Sequence, residues 1–190
     1  GAGYTVVEHN SHAIEQELIT FVPVDPDGGE PVRVQRLKLR NDASRRRRLT
    51  VTFYAEWTLG DQREKTQMHV VTSFDSASRS LFAANHYHPD FGDHTAFAAI
   101  HPPPASYTAD RTEFLGRNGS PADPEALGRT ELSERTGAGH DPCAALQVNL
   151  ELNPGQTGEV ICLLGQTATP EQARRIISRF RSSLAVSEAL

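Results

Sequence analysis

The stretch "LTVTFYAEW", Leu49–Trp57, decides the fold. Leu49, Val51, Phe53, Ala55 and Trp57 alternate with Thr50, Thr52, Tyr54 and Glu56. Successive side chains of a strand point to opposite faces, so this is a strand with one dry face and one polar face. Its β-branched and aromatic content fits the same reading. Upstream, "YTVVEHN" runs into "HAIEQELITFVPV", which ends at the turn cluster Asp25-Pro26-Asp27-Gly28-Gly29. "PVRVQRLKLRN" then sets Val32, Val34, Leu37 and Leu39 in an extended pattern with one slip that a β-bulge would absorb. This segment and "LTVTFYAEW", joined by a short polar connection, are expected to form an antiparallel hairpin. The basic run Arg45 to Arg48 would be its solvated turn.

Downstream, "MHVVTSFD", "SLFAANHY" and "HTAFAAIH" read as three short strands, and an irregular stretch follows from Pro102 to His140. "CAALQVNLEL" and "GEVICLLGQ" make a second expected hairpin around Asn153-Pro154-Gly155-Gln156. Its Pro-Gly pair suits a type II turn, which needs φ near -65° and then a positive φ. Only the end is helical. Thr169-Pro170-Glu171-Gln172 is a capping box with Pro at the first helical position, and Ala173, Ile176, Ile177, Phe180 and Leu184 share a face. Strands at intervals of about eight to twelve residues, closed by one helix, define an all-β chain folded as a large antiparallel β-sandwich. Residues 1–168 would form the sandwich and 169–190 a C-terminal linker helix.

A chain of 190 residues is long enough to bury a core without staples. Its net charge of -5 speaks against nucleic acid as a partner. No window approaches the roughly 20 apolar residues of a membrane span. The N-terminus lacks the basic and apolar regions of a signal peptide. The expectation is therefore a cytoplasmic domain with no direct membrane insertion, any inner-membrane anchor belonging to other domains of a parent protein. Cys143 and Cys162 are too few for a disulfide framework or a zinc site, and Cys162 in "VICLLG" reads as a small core residue in a reducing compartment. No cofactor is expected.

The cluster "NHYHPDFGDH" holds His86, His88, Asp90, Asp93 and His94. His86, His88 and His94 are weak metal-ligand candidates, because such sites need a further ligand that the sequence does not point to. Asn85-His86 is also similar to the histidine motif of sugar mutarotases, where His protonates a ring oxygen. The plain alternative is a polar loop between two strands. Trp57, beside Glu56, is a candidate sugar-stacking platform, or core at the end of an apolar face. No nucleophile elbow or Gly-rich phosphate loop is present, so no catalytic residue is assigned.

The segment "DRTEFLGRNGSPADPEAL", Asp110–Leu127, has neither a helix nor a strand period. Within "SYTADRTEFLGRNGSPADPEAL", and followed by "GAGHDPCAALQVNLELNPGQTGEVICLLGQ", it resembles the cyclic β-1,2-glucan synthases. More broadly it resembles the N-terminal β-supersandwich of the disaccharide phosphorylases of glycoside hydrolase family 94, formerly glycosyltransferase family 36. "GYTVVEHNSHAIEQELITFVPVD", "VQRLKLRNDASRRRRLTVTFYAEWTLG" and "SFDSASRSLFAAN" match in the same order, so the resemblance spans Gly3 to Phe180. It implies a galactose-mutarotase-like supersandwich, with upstream strands that are not found before Gly1. In the whole enzymes a linker helix and an (α/α)6 barrel follow, and that barrel carries the general acid and the phosphate site.

The resemblance thus implies a non-catalytic module whose partners are a downstream (α/α)6 barrel, β-glucan and, in a homodimer, a second copy. The long loop would be a packing device. Phe114 and Leu115 would anchor it, Gly116 and Gly119 would let it double back, and Pro121 and Pro124 would stiffen it. Arg111 and Arg117 are candidate carbohydrate contacts, since an Arg fork suits hydroxyls or phosphate. The plain reading of Asp110-Arg111 is an ion pair that fixes the loop. The histidines at 86–94 depart from the family pattern and inherit no role from it. The competing reading is a free-standing mutarotase-like or metal-dependent enzyme using His86 or His88.

Overall fold

A computed structural model describes residues 3–24 and 31–190, so the turn cluster Asp25–Gly29 lies outside the described residues. In chain order the strands are β1 (Tyr4–Ser11), β2 (Ile14–Phe21), β3 (Val32–Asn41), β4 (Arg47–Glu56), β5 (Val71–Asp75), β6 (Ser80–Ala84), β7 (Thr95–His101), β8 (Ser106–Asp110), β9 (Pro142–Leu152) and β10 (Thr157–Thr167). Helices α1 (Arg63–Thr66), α2 (Arg111–Leu115), α3 (Pro170–Arg179) and α4 (Ser183–Glu188) interrupt or follow them. The strands form a seven-stranded sheet in the order β1-β2-β3-β10-β7-β6-β5 and a three-stranded sheet β4-β9-β8. Every pairing is antiparallel. The fold is an all-β sandwich.

Between the sheets, Phe53 and Trp57 with Ala144, Leu146 and Val148 of β9 meet Leu81, Ala98, Ile100, Val160 and Cys162 of the large sheet. The alternation of "LTVTFYAEW" appears here as the dry face of β4. The opposite face of the large sheet, with Val34, Phe97, Ile161 and Leu163, receives Ala173, Ile176, Ile177 and Phe180 of the C-terminal segment. The core is therefore continuous across residue 169, and that position marks a change of secondary structure rather than an edge of the packing. Thr169 caps α3 in the expected box. The single expected helix is in fact two. Ser182 accepts from the Ala185 amide and restarts the chain as α4, which buries Val186 and leaves Leu184 69% exposed.

Neither expected hairpin forms. β3 pairs with β2 and β10 in the large sheet, while β4 pairs with β9 in the small one. β9 and β10 likewise lie in different sheets. Both connections cross the sandwich, and buried Asn41 stitches them together. Its amide donates to the carbonyls of Arg45 (2.8 Å) and Leu152 (2.9 Å), while its backbone N–H donates to Gln156 (3.0 Å) and its carbonyl accepts from Gly155 (2.7 Å). Gly155 has the positive φ of 74° that the Pro-Gly pair called for, although the flanking strands diverge. The arginine run sits in the crossing: Arg46 and Arg48 flank Glu151, and Arg47 donates to the His12 carbonyl. Alternation dictates which face of a strand is dry, but a short connection can fold back within a sheet or across to the other. A further difference lies in the stretch expected to be irregular, where Ser106–Asp110 adds as β8 to β9 with a register break between Thr108 and Asp110.

Among the described residues no helix is long and apolar enough to cross a membrane.

Candidate functional site

The outer face of the three-stranded sheet carries the polar set of β4, and the Asp110–Leu127 loop lies upon it. Asp110 ends β8 and caps α2, its carboxylate accepting from the Thr112 amide at 3.0 Å. That cap starts a helix of one turn, too short to show a period in the sequence. α2 delivers buried Phe114 and Leu115 onto the sheet, where they pack with Ala126, Leu132, Ala145 and Tyr54. Gly116 ends the turn with φ of 88°. At Gly119 a Cβ would collide with the Leu115 carbonyl, so the chain can double back there only without a side chain. A 3₁₀ turn over Glu125–Gly128 closes the loop, and Arg129 pairs with buried Glu113 at 2.8 Å.

Beside the anchors, four charged side chains close a ring. Glu56 lies at the end of β4, Arg63 in α1, Arg111 at the start of α2 and Asp141 just before β9. Arg111 Nε stands 2.8 Å from Glu56 Oε1, and its Nη1 lies 3.4 Å from Asp141 Oδ2. Arg63 Nε lies 3.1 Å from Glu56 Oε2, and its Nη2 pairs with Asp141 Oδ1. The Tyr54 hydroxyl donates to Glu56 at 2.7 Å. Burial, then the bond to the Glu56 carboxylate, drive the Tyr54 phenol above its ordinary range. Burial acts to raise Glu56 as well. Hydrogen bonds from Arg111 and Tyr54 and the charges of Arg111 and Arg63 outweigh it, so Glu56 sits below its usual value. Two cations and two anions neutralise each other, and the ring is a clamp.

These contacts place the candidates drawn from the sequence. Arg111 is spent on Glu56 and Asp141 rather than offered to a ligand. The expected Asp110–Arg111 pair does not form, since neighbours at a helix start point apart. Asp110 instead meets Arg135 at 3.3 Å and His140 at 3.7 Å. Trp57 is 4% exposed and donates its indole N–H to the Cys143 carbonyl at 3.0 Å, so it offers no ring face to a sugar. Arg117 stands exposed at the rim of the loop. Glu56, Arg63 and Asp141 were not picked out in the sequence. They come from three separate segments, and only Glu56 carried a signal, as a carboxylate on the polar face of β4.

The histidine loop joins β6 to β7. Buried Asn85 holds it, donating to the Leu59 carbonyl at 2.9 Å and accepting from the Tyr87 amide at 3.2 Å. His86 Nδ1 lies 3.0 Å from the Gly92 carbonyl, and His88 Nδ1 accepts from the Asp90 and Phe91 amides at 3.2 and 3.3 Å. Among the described residues, no three His, Cys, Asp or Glu side chains converge where a metal ion would sit. His88 and His94 instead line an open cleft of about 380 Å³ between this loop and Leu59–Asp61.

A seven-on-three antiparallel sheet pair with helices on its back and a clamped loop on its front defines the class of the fold, an all-β sandwich. The glycosyl hydrolase 94 supersandwich domain matches residues 1–183, and the chain belongs to that family. Over 153 residues, 80% of this chain, it is 37% identical to the cyclic β-(1,2)-glucan synthase NdvB of Rhizobium meliloti (strain 1021), and it spans 5% of that protein's length. Among solved structures, a polysaccharide lyase superposes on 90% of this chain and 23% of its own with a TM-score of 0.53 at 12% identity, a likeness of fold.

Proposed function

We propose that the chain is a non-catalytic module of a larger glucan-synthesising or glycoside-phosphorylase-type protein, a cytoplasmic domain that packs against its neighbours and contacts glucan. The observation that carries this reading is the closed ring of Glu56, Arg63, Arg111 and Asp141. A general acid needs a carboxyl held protonated near neutral pH and facing a pocket. Glu56 is instead held ionised by two guanidinium groups. The most elaborate polar feature of the domain thus fixes a loop to a sheet, which makes a stiff slab with a free outer rim. Arg117 and half-exposed Leu127 stand on that rim. Its partner would be the downstream (α/α)6 barrel that the family resemblance implies, or the same surface of a second copy.

The test is activity of the chain itself. Incubated with phosphate and β-1,2-glucooligosaccharides or cellobiose, it releases no glucose 1-phosphate above background, and NMR detects no catalysed exchange of glucose anomers. Turnover in either assay that disappears in His86→Ala or His88→Ala would overturn the module reading in favour of an enzyme.

A further inference from the structure

We infer that the cleft between Leu59–Asp61 and the His88–His94 loop is a binding site for a short neutral saccharide. Gln166 of β10 pairs across the sheet with Ala96 of β7, immediately beyond the Leu164–Ala98 pair on the inner face of the sandwich. Both residues line the cleft, so its floor is a continuation of a rigid core sheet. His94 and Gln166 also line a second hollow of about 390 Å³, which extends to Arg175 of α3. The two hollows share these side chains, and the second is walled by Gln172, Arg175 and Ile176 of α3. Each lies within the range of about 300–1,000 Å³ typical of small-ligand sites.

The polar groups here are unspent, in contrast to the charged ring. His94 Nδ1 is buried without a hydrogen-bond partner. Buried polar atoms are nearly always partnered, so this nitrogen is an exception among the side chains of the cleft wall. The side chains of Asp61, Asp90 and Gln166 line the cleft and enter none of the hydrogen bonds or ion pairs found among the described residues. Phe91 is 51% exposed, flanked by His88 at 5.1 Å and by His94 edge-on at 5.5 Å. Its neighbours hold the ring while about half of it stays exposed, and an exposed aromatic ring suits stacking against the C–H face of a pyranose. An amide, an imidazole and two carboxylates around an aromatic ring suit hydroxyl groups of either hydrogen-bonding sense. Asp61 and Asp90 disfavour an anionic ligand. His88 Nδ1 is occupied by two backbone donors, which removes it from any metal set.

The cleft stands on this geometry, whereas the choice of β-1,2-linked glucose units rests on the family reading of the chain. The experiment is an NMR titration of the 190-residue chain with sophorose and longer β-1,2-glucooligosaccharides. A maltooligosaccharide series and inorganic phosphate are titrated in parallel. Amide shifts are expected at Gly60, Asp61, His88 to His94 and Gln166. Phe91→Ala and Gln166→Ala should each weaken binding about tenfold, as loss of one stacking or hydrogen-bonding contact would. Both should leave the melting temperature unchanged, because neither side chain supports the core. Cleft shifts with maltooligosaccharides and not with the β-1,2 series would uphold the site while contradicting the glucan reading. No saccharide shift at the cleft, equal binding by both variants, or shifts produced by phosphate alone would overturn the site.

Discussion

The rings of Tyr54 and Phe114 stack with centroids 4.7 Å apart and planes 19° from parallel. The Tyr54 hydroxyl is bonded to Glu56, so one side chain joins the apolar anchor of the loop to the charged clamp beside it. The loop and the three-stranded sheet therefore behave as one body.

Phe114→Ala should destabilise the domain by about 3–5 kcal/mol, the usual cost of truncating a buried Phe. Arg117→Ala, at an exposed and unpaired position, should change stability by no more than about 0.5 kcal/mol. Urea unfolding followed by circular dichroism separates the two. Equal midpoints would mean that the loop is only loosely attached.

The clamp gives a second prediction. Arg111→Ala leaves Glu56 and Asp141 short of a partner in a site where all four side chains are between a fifth and a third exposed. A loss of about 1–3 kcal/mol is expected, because the remaining groups stay desolvated. The double variant Glu56→Gln, Arg111→Met should recover part of it. A double variant no better than the single would show that the ring is not a coupled unit.

The sandwich class, the strands at its centre and the capping box of α3 were legible because burial on one face leaves a period that the chain itself displays. Sheet assignment was not legible. The segments around Asn41 and Asn153 resemble hairpin turns in composition, and the bonding of buried Asn41 to both connections, with the β4–β9 pairing, is a tertiary arrangement that composition does not display. The anchors Phe114 and Leu115 stood out against polar neighbours. The clamp did not, because Arg63 and Asp141 are ordinary surface-type residues until the fold brings them to Glu56 and Arg111. Of the groups around the His94 cleft, His88, Asp90 and His94 stood out as a polar cluster, whereas Asp61 and Gln166 come from other segments and did not.

Acid stability should report on Asp75, which ties the β5–β6 turn to α3. Hydrogen bonds from Arg174, including one of 2.8 Å, outweigh the burial that opposes them, and Ser78 adds two more. They lower the carboxyl from its ordinary 3.8 to about 2. A depressed folded pKa contributes stability that is complete above the unfolded value and lost as pH falls through the folded one. Asp75 should therefore give stability a downward slope between about pH 4 and pH 2. Asp75→Asn should flatten that slope, as measured by denaturant titration at a series of pH values. An unchanged slope would contradict the assignment.

Burial pushes the Cys162 thiol up to about 12 and the Cys143 thiol further still. Neither should form thiolate near pH 8, so iodoacetamide should label both cysteines in urea and neither in the folded chain. Rapid labelling of the native protein at one equivalent would place that cysteine outside the core.

Gly119→Ala should cost more than about 1 kcal/mol, because the added Cβ meets the Leu115 carbonyl, whereas Gly128→Ala should stay within about 0.5 kcal/mol. Thermal melts of the two variants decide it, and similar melting temperatures would argue against a tightly folded-back loop.

The measurement closest to the central claim is amide hydrogen exchange across residues 110–127, in this chain alone and in the longer protein of which we propose it is a module. In both, the amides of Phe114 to Gly116 should exchange slowly, since α2 is clamped within the domain itself. The exposed rim from Arg117 to Asp123 should exchange quickly in the isolated chain and become protected only in the longer protein. A rim that exchanges equally fast in both would contradict a packing role for the slab.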